Sequence, residues 1–373
     1  TPGGWYLLGT SSEALFDPHV PPYSLVGPGD GVRFVAVDRA APTALPTGAA
    51  RPPLRAVGSR FLEVVEPGPR SLVQDTGRRG TSGIGVPTAG AADPRAHALV
   101  NLLLGNAPDA ATVECTASGP SMRMAGGGHV AVVGAGRDAT EVHVDGHPVS
   151  DGSVVPVADG QMLSIGPVRH GLRAYLGVAG GVDGPVLLGS RSSDLLSGLG
   201  PGPLQIGDRL AIGAPGRMRG RLDAGASRGP GPVRVRVMPG PHPDAAATLD
   251  RFVAITWRVG SGSDRVGVRL EAADGMPLPA VTPRPSTPMV TGAVQLPPDG
   301  HPIVLLPDHA TVGGYPVIAC VISADLGSFG QLRPGDEVAF GVVDHATAGR
   351  ALRQTRADLA GRVSGWFPTV AGT

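Results

Sequence analysis

Pro28-Gly29-Asp30-Gly31-Val32-Arg33-Phe34 returns as Ile206-Gly207-Asp208-Arg209-Leu210-Ala211-Ile212, and again as Pro334-Gly335-Asp336-Glu337-Val338-Ala339-Phe340. In each copy a Gly able to take positive φ makes a tight turn, and an alternating run follows it. Alternation with a period of two is the pattern of a half-buried strand. Each copy closes a β-rich stretch, so the phrase marks the last hairpin of three modules ending near residues 37, 213 and 343.

The chain between those turns divides accordingly. Residues 1–37 end the first module, and 38–58, rich in Ala, Pro and Arg, have the composition of a linker. Residues 59–213 and 233–343 are the two larger modules, with a weak connecting stretch at 214–232 and a tail at 344–373. Strands are expected at 61–66, 129–133, 141–144, 172–178, 233–238, 266–270, 303–306 and 317–323, mostly bounded by turn residues. Helices are few. Asp93 as N-cap, Pro94 at the first helical position, an apolar run to Leu104 and a Gly105-Asn106 stop predict one. Residues 243–253 predict a second, and 345–363, with Leu352 and Leu359 seven apart, a docked surface helix.

Composition agrees with a folded, turn-dense, mainly β protein. Gly and Pro number 58 and 39 of 373 residues, yet 41% of the chain is hydrophobic, enough for substantial cores. Formal net charge is zero without long single-sign runs, which argues against a nucleic-acid partner. All 31 basic residues are Arg. Without Lys there is no P-loop of the Walker type, no Schiff base and no covalent biotin on this chain. Cys115 and Cys320 lie in apolar strand-like stretches and read as buried small residues, which fits a reducing, cytoplasmic setting. No apolar run approaches the roughly 18 residues of a membrane span. The His and Cys spacings contain no C-x-x-C or H-E-x-x-H, so no metal site is expected, and no G-x-S-x-G elbow occurs.

Four polar, Gly-rich segments interrupt the apolar strands. Gln74-Asp75-Thr76-Gly77-Arg78-Arg79-Gly80 runs toward the helix start at Asp93 and offers free N–H donors beside two guanidiniums. Gly189-Ser190-Arg191-Ser192-Ser193-Asp194 sets hydroxyls around one Arg, and Ser261-Gly262-Ser263-Asp264-Arg265-Val266-Gly267 places a carboxylate beside another. Asp308-His309-Ala310-Thr311-Val312-Gly313-Gly314-Tyr315-Pro316 gathers a carboxylate, an imidazole, a phenol and two Gly at a strand's end. An ordinary turn explains the first three better than a binding site does, and the fourth equally well. The residues alone name no reaction.

These segments resemble the biotin-dependent carboxyltransferase-like family, which includes allophanate hydrolase subunit 2, known also as the C component of 5-oxoprolinase. The likeness is carried by Gln74-Asp75-Thr76-Gly77-Arg78, Gly85-Val86-Pro87, Gly90-Ala91-Ala92-Asp93-Pro94 and Asn101-Leu102-Leu103-Leu104-Gly105-Asn106. It continues through Glu114-Cys115-Thr116, Val178-Ala179-Gly180-Gly181, Gly189-Ser190-Arg191-Ser192, Gln295-Leu296-Pro297-Pro298-Asp299-Gly300, Gly313-Gly314-Tyr315-Pro316 and Ile322-Ser323-Ala324-Asp325-Leu326. It is collinear over about residues 60–343. The first forty residues resemble instead the C-terminal end of the B component (allophanate hydrolase subunit 1), through Pro2-Gly3-Gly4-Trp5, Leu15-Phe16-Asp17-Pro18 and the first turn phrase. That likeness implies a fragment of a B–C fusion, with 38–58 as the joint.

The resemblance implies a cyclophilin-like β-barrel architecture in two parts and an active site shared with a B-type partner, the allophanate hydrolase subunit 1-like protein. With an A-type protein as well, such a heteromeric complex hydrolyses 5-oxoproline to glutamate at the expense of ATP, with Mg2+ accompanying the nucleotide. Relatives within urea carboxylase move a carboxyl group from carboxybiotin to urea, which here would need a separate biotinyl carrier. Other family pairs are regulatory modules of a histidine kinase. On the matched positions, Asp75, Asp93 or Glu114 is a candidate base or Mg2+ ligand, and His309 and Tyr315 complete the catalytic candidates. Gln74, Arg78, Arg191, Arg265, Gly313 and Gly314 are candidates for binding substrate or phosphate. Arg78→Ala is expected to abolish turnover with little effect on the thermal transition. Departures fall at His309-Ala310-Thr311-Val312, where relatives commonly have Arg-Gln-Thr-Thr, and at Ala89, Ala92, Gly136 and Val268.

Overall fold

The computed structural model describes residues 11–361 with Val363 and Ser364, apart from positions 12, 28, 38–53, 57, 137, 220, 223–230, 243–245, 280 and 282–284. The chain forms two compact units, Thr1–Pro52 and Pro53–Thr373.

In the larger unit the first module is a pair of antiparallel sheets. The seven-stranded sheet runs Val182–Asp183, Arg209–Ile212, Phe61–Glu66, Ser121–Ala125, Met162–Val168, Thr140–Val144 and His147–Val149. The five-stranded sheet runs Ser71–Gln74, Thr112–Thr116, Arg173–Val178, Gly128–Val133 and Val155–Val157. Leu62, Met122, Met124, Leu163 and Ile165 from one meet Val113, Cys115, Val130, Val132 and Leu176 from the other in a single core. The opposite face of the five-stranded sheet is covered by helix α1 (Pro94–Leu103), through Leu99, Val100 and Leu103 against Ala131, Val133 and Tyr175. Strand Arg173–Val178 is therefore buried along its whole length. Gly177 makes the close approach possible, since a Cβ there would lie 2.6 Å from Leu104 Cδ1.

The second module is a closed barrel: Val233–Pro239, Val317–Val321, Ala293–Gln295, Ile303–Leu305, Gly267–Ala272, Thr256–Val259 and Glu337–Val342. It closes by a parallel pairing of its first and last strands, from Val233↔Val338 to Val237↔Val342. Trp257, fully buried, donates from Nε1 to the Phe252 carbonyl at 2.9 Å and packs with Phe252. Helix α2 (Ala246–Ala254) carries Phe252 and Leu249 into that core. Helix α3 (Leu326–Gly330) and helix α4 (His345–Gly361) complete a mainly β fold with four helices among the described residues. The strand expected at 61–66 is Phe61–Glu66, and the helix start at Asp93 is as expected. The start of the helix expected at 243–253 lies outside the described residues. The stretch 214–232 contributes buried Met218 to the α1 cluster and pairs Arg221–Leu222 with Val363–Ser364.

The repeated turn recurs in geometry as well as in letters. Asp30, Asp208 and Asp336 each accept, through Oδ2, the N–H of the residue three positions earlier, at 2.7, 2.8 and 2.9 Å. Gly29, Gly207 and Gly335 all take φ between 84° and 92°. The second and third copies lead into strands with neighbours on both sides. In the smaller unit the run 31–37 belongs to no strand, and Val32, Phe34, Val35 and Val37 are exposed.

The two modules of the larger unit are joined by polar stitches. Gln331 Oε1 accepts the N–H groups of Leu172 and Arg173, while its Nε2 donates to Asp93 at 2.8 Å. Arg173 Nη1 donates to the Gly330 carbonyl, and Arg333 donates to the carbonyls of Gly171 and Val168. A Cβ on Gly330 would lie 2.5 Å from Ala92 O, so only Gly lets the chains pass this closely.

Candidate active site

All four polar segments meet at this junction. The loop after strand Ser71–Gln74 turns at Gly77, whose φ of 83° and 2.5 Å approach to Thr88 O exclude a side chain. That turn aims Asp75 at the 189–194 segment. Asp75 Oδ1 accepts Gly77 N–H at 2.8 Å and the hydroxyls of Ser190 and Ser192 at 2.6 Å, and Oδ2 accepts Arg191 N–H at 2.7 Å. Burial pushes this carboxyl up, but the Ser190 and Ser192 hydroxyls and the two N–H groups outweigh it and hold it below its usual value.

Arg265, fully buried, bridges the modules. It grips Asp308 with two bonds of 2.9 Å, reaches Glu114 Oε1 at 2.5 Å and donates to Gly90 O at 2.7 Å. Burial alone would lower its pKa, yet Glu114 and Asp308 raise it above the ordinary guanidinium value. Burial likewise pushes Glu114 up, but Arg265, Arg173, the Ala92 N–H and the Tyr175 hydroxyl draw it below its usual value. Burial, with Asp194 and Glu114 near, keeps Asp308 above the usual carboxylate value against the pull of Arg265. Asp93 caps α1 through the N–H groups of Arg95 and Ala96 and is also raised by burial.

The candidate residues thus separate. Asp75, Asp93, Glu114 and Arg265 are engaged by internal partners. Arg191 sits at the surface, its Nη2 2.7 Å from Asp183, a pair of small energetic weight. Gly313 pairs with Thr287 in a short ribbon, and a Cβ there would meet Gln295 Nε2 at 2.6 Å, so its glycine serves internal packing. Gly314 is half-buried beside it and Tyr315 is 38% exposed. Arg78 and Gln74 differ from these. Arg78 Nη2 donates to Ser192 O at 2.5 Å, but among the described residues Nε and Nη1 have no partner, and Gln74, tied to Ser193 O at 2.9 Å, leaves Oε1 unpaired. Buried polar atoms without partners are uncommon and point to a group that joins them. Burial lowers the Arg78 pKa against the fields of Asp194, Asp75 and Asp308.

Sequence reasoning passed over Arg173, Tyr175 and Gln331. Tyr175 donates to Glu114 at 2.7 Å and its oxygen accepts Asp93 N–H. A signal for two of them was present: Arg173 and Tyr175 are two apart in an otherwise apolar strand, and so share a face. Gln331 carries no such signal.

The carboxylates fit no resident metal. Every oxygen of Asp75, Asp93 and Glu114 accepts an internal hydrogen bond or ion pair, and among the described residues no cluster of His, Cys, Asp and Glu has metal-binding geometry. Glu114 has a pH consequence. Its folded value is depressed, so its contribution to stability is complete above the ordinary value of 4.5 and is lost as pH falls through the folded value. Glu114→Gln should lower the melting midpoint at neutral pH and flatten its decline below about pH 4.5. Calorimetry across that range checks this.

The two-module β architecture with a buried Arg-carboxylate junction agrees with a match of the carboxyltransferase domain, subdomain A and B, to residues 84–342, and this chain belongs to that family. Among its relatives is the C component of 5-oxoprolinase from Escherichia coli, 37% identical over 291 residues, covering 75% of this chain and 90% of that protein. Urea amidolyase of Saccharomyces cerevisiae is 30% identical over 323 residues, 79% of this chain and 17% of that one. The crystal structure of TTHA0988 superposes with a TM-score of 0.78 at 35% identity, covering 91% of this chain and 67% of that chain.

Proposed function

We propose that this chain is the C-type component of an ATP-dependent 5-oxoprolinase, converting 5-oxoproline, ATP and water to glutamate, ADP and phosphate. Its active site is shared with a B-type partner, and an A-type protein completes the complex. The observation that carries this is the 37% identity to the C component of 5-oxoprolinase across nearly all of that relative's length.

The chemistry of the junction suits the reaction. A lactam carbonyl is a poor electrophile, and transfer of phosphate from ATP to its oxygen makes water attack feasible. Arg78 brings two donor nitrogens without partners, Nε and Nη1, and Gln74 an unspent acceptor, a combination that complements the C=O and N–H edge of a cyclic amide. Around them three guanidiniums (Arg78, Arg173, Arg265) face four carboxylates (Asp75, Asp194, Asp308, Glu114). That near-balance of charge suits an uncharged carbonyl in the ground state, with Arg78 placed to offset the charge that develops on its oxygen. Mg2+ then travels with the nucleotide and is held elsewhere in the complex.

Residues 1–37 are the C-terminal piece of a B-type module in this reading. Support comes from their turn, which repeats the one that precedes the final barrel strand. By that correspondence Val32 and Phe34 occupy the positions of Val338 and Phe340, both buried in the barrel.

The test is reconstitution of this chain with A-type and B-type proteins, scoring phosphate release from ATP. Release dependent on 5-oxoproline is expected. Release dependent on urea with a biotinyl carrier would replace this reading with the carboxyl-transfer one that the urea amidolyase likeness favours. Response to neither would leave a regulatory binding module.

A further inference from the structure

Arg78 and Gln74 are both tethered to one short stretch of chain. Arg78 Nη2 donates to Ser192 O at 2.5 Å, and Gln74 Nε2 donates to Ser193 O at 2.9 Å. These two successive carbonyls therefore set how the side chains are turned, and so where Arg78 Nε and Nη1 and Gln74 Oε1 point. His309 stands outside this arrangement. Its Nδ1 is engaged by Ala310 O, 2.8 Å away in its own turn.

What fixes Ser192 and Ser193 is Asp75. Its carboxyl lies below its usual value, so it is ionised at neutral pH and can only accept. The Ser190 and Ser192 hydroxyls must then aim their hydrogens at Oδ1, each at 2.6 Å. Their oxygens remain free to accept: Ser192 Oγ takes the Asp75 N–H and Ser190 Oγ takes the Ser192 N–H, both at 2.9 Å. Arg191 N–H closes on Oδ2 at 2.7 Å, so one side chain binds three consecutive residues. On the far side Ser193 N–H donates to Val73 O at 2.9 Å, and a Cβ on Gly200 would overlap Ser192 O. Gly77 N–H, also on Oδ1, pins the turn that carries Arg78. Both ends of the Arg78–Ser192 contact are thus anchored to the same carboxylate. The donors that fill it also make it a weak base.

We propose that Asp75 is the positioning residue of the Arg78–Gln74 subsite, aligning its free donors and acceptor with the C=O and N–H edge of the lactam. The role rests on the 5-oxoprolinase reading. Asp75 touches no substrate atom and acts through Ser192 and Ser193. A polar edge of this kind is recognised well only when its partners are held to within about 0.5 Å before the substrate arrives. Long Arg and Gln side chains do not hold such positions unaided.

Asp75→Asn tests this in the reconstituted complex. Whichever way the amide sits, its NH2 group meets an N–H or O–H that the carboxylate accepts, so the clasp opens while the volume is kept. Measured well below each variant's midpoint, kcat should fall by about 10–10²-fold with KM for 5-oxoproline little changed. The loss should not multiply with that of Arg78→Lys. The double variant should match Arg78→Lys alone within about twofold. A residue that only stabilises the fold would lower the midpoint and leave kcat in place, and multiplied losses would show that Asp75 acts apart from Arg78. Either result overturns the inference. Ser192→Ala keeps the carbonyl that Arg78 uses and removes one donor to Asp75, so it serves if Asp75→Asn does not fold. Its kcat should also fall without multiplying, and an unchanged kcat there counts equally against the role. The Arg78 Nε–H signal of the 15N-labelled chain, assigned by its loss in Arg78→Lys, gives a readout free of turnover. It should shift or broaden in Asp75→Asn and in Ser192→Ala, and an unmoved signal overturns the positioning whatever the substrate is. Absence of 5-oxoproline-dependent hydrolysis by the unaltered complex would instead overturn the 5-oxoprolinase reading, with the signal still deciding whether Asp75 orients Arg78.

Discussion

Arg265→Met should lower the melting midpoint by about 6–15 °C, equivalent to ~3–5 kcal/mol. Methionine nearly fills the volume, so the loss is electrostatic. It strands Asp308 and leaves Glu114 with Arg173 Nε at 3.3 Å as its remaining guanidinium contact, and it removes the Gly90 carbonyl's donor. A carboxylate stranded in an interior either pays for its lost partner or takes up a proton, and either course weakens the folded state. Arg265→Lys should recover little. One ammonium cannot match a planar fork that reaches Asp308, Glu114 and Gly90 together. Differential scanning calorimetry of the three proteins decides the matter, and a lysine variant within 2 °C of the unaltered protein (on the order of 1 kcal/mol) would show that the fork geometry is unimportant.

Arg78→Lys should reduce turnover of the reconstituted complex by about 10²–10³-fold, the scale of one lost carbonyl-stabilising donor. The lysine keeps the charge that offsets Asp194, Asp75 and Asp308 but lacks the Nε and Nη1 hydrogens. The alanine variant is a poorer probe than the sequence suggests. A loop position for Arg78 implies an intact thermal transition, but its side chain is fully buried and bonded to Ser192 O. Arg78→Ala should therefore unfold earlier, by ~2–4 kcal/mol, and confound stability with activity. Steady-state kinetics at 20 °C below each variant's midpoint (about 5 kcal/mol of margin) separates the two. Unchanged kcat in the lysine variant would place the lactam carbonyl away from Arg78.

Why some of this is readable and some is not follows from the physics of each part. Strand Phe61–Glu66 and the cap at Asp93 are local features, written in alternation and in a carboxylate one residue before Pro94. The convergence of four polar segments is not local. Asp75 meets Ser192 across 117 positions, and Arg265 meets Glu114 across 151. The segments can be named from composition, but whether their carboxylates face a ligand or one another depends on long-range packing. Glu114 is the clearest instance. In sequence it is an acid within an apolar strand, at a position where the family resemblance suggests a base or a Mg2+ ligand. In the structure Tyr175, directly opposite in the sheet register, and Arg265 from the other module both occupy it. The glycine at 313 reads as room for a ligand and is room for Gln295.

The stitched junction has a mechanical corollary. Gln331, Arg173, Arg333 and Arg265 clasp backbone groups of the opposite module rather than sliding apolar faces, and Gly330 brings the two main chains into contact. Such a seam resists shear and ties the two modules of the larger unit into one mechanical piece.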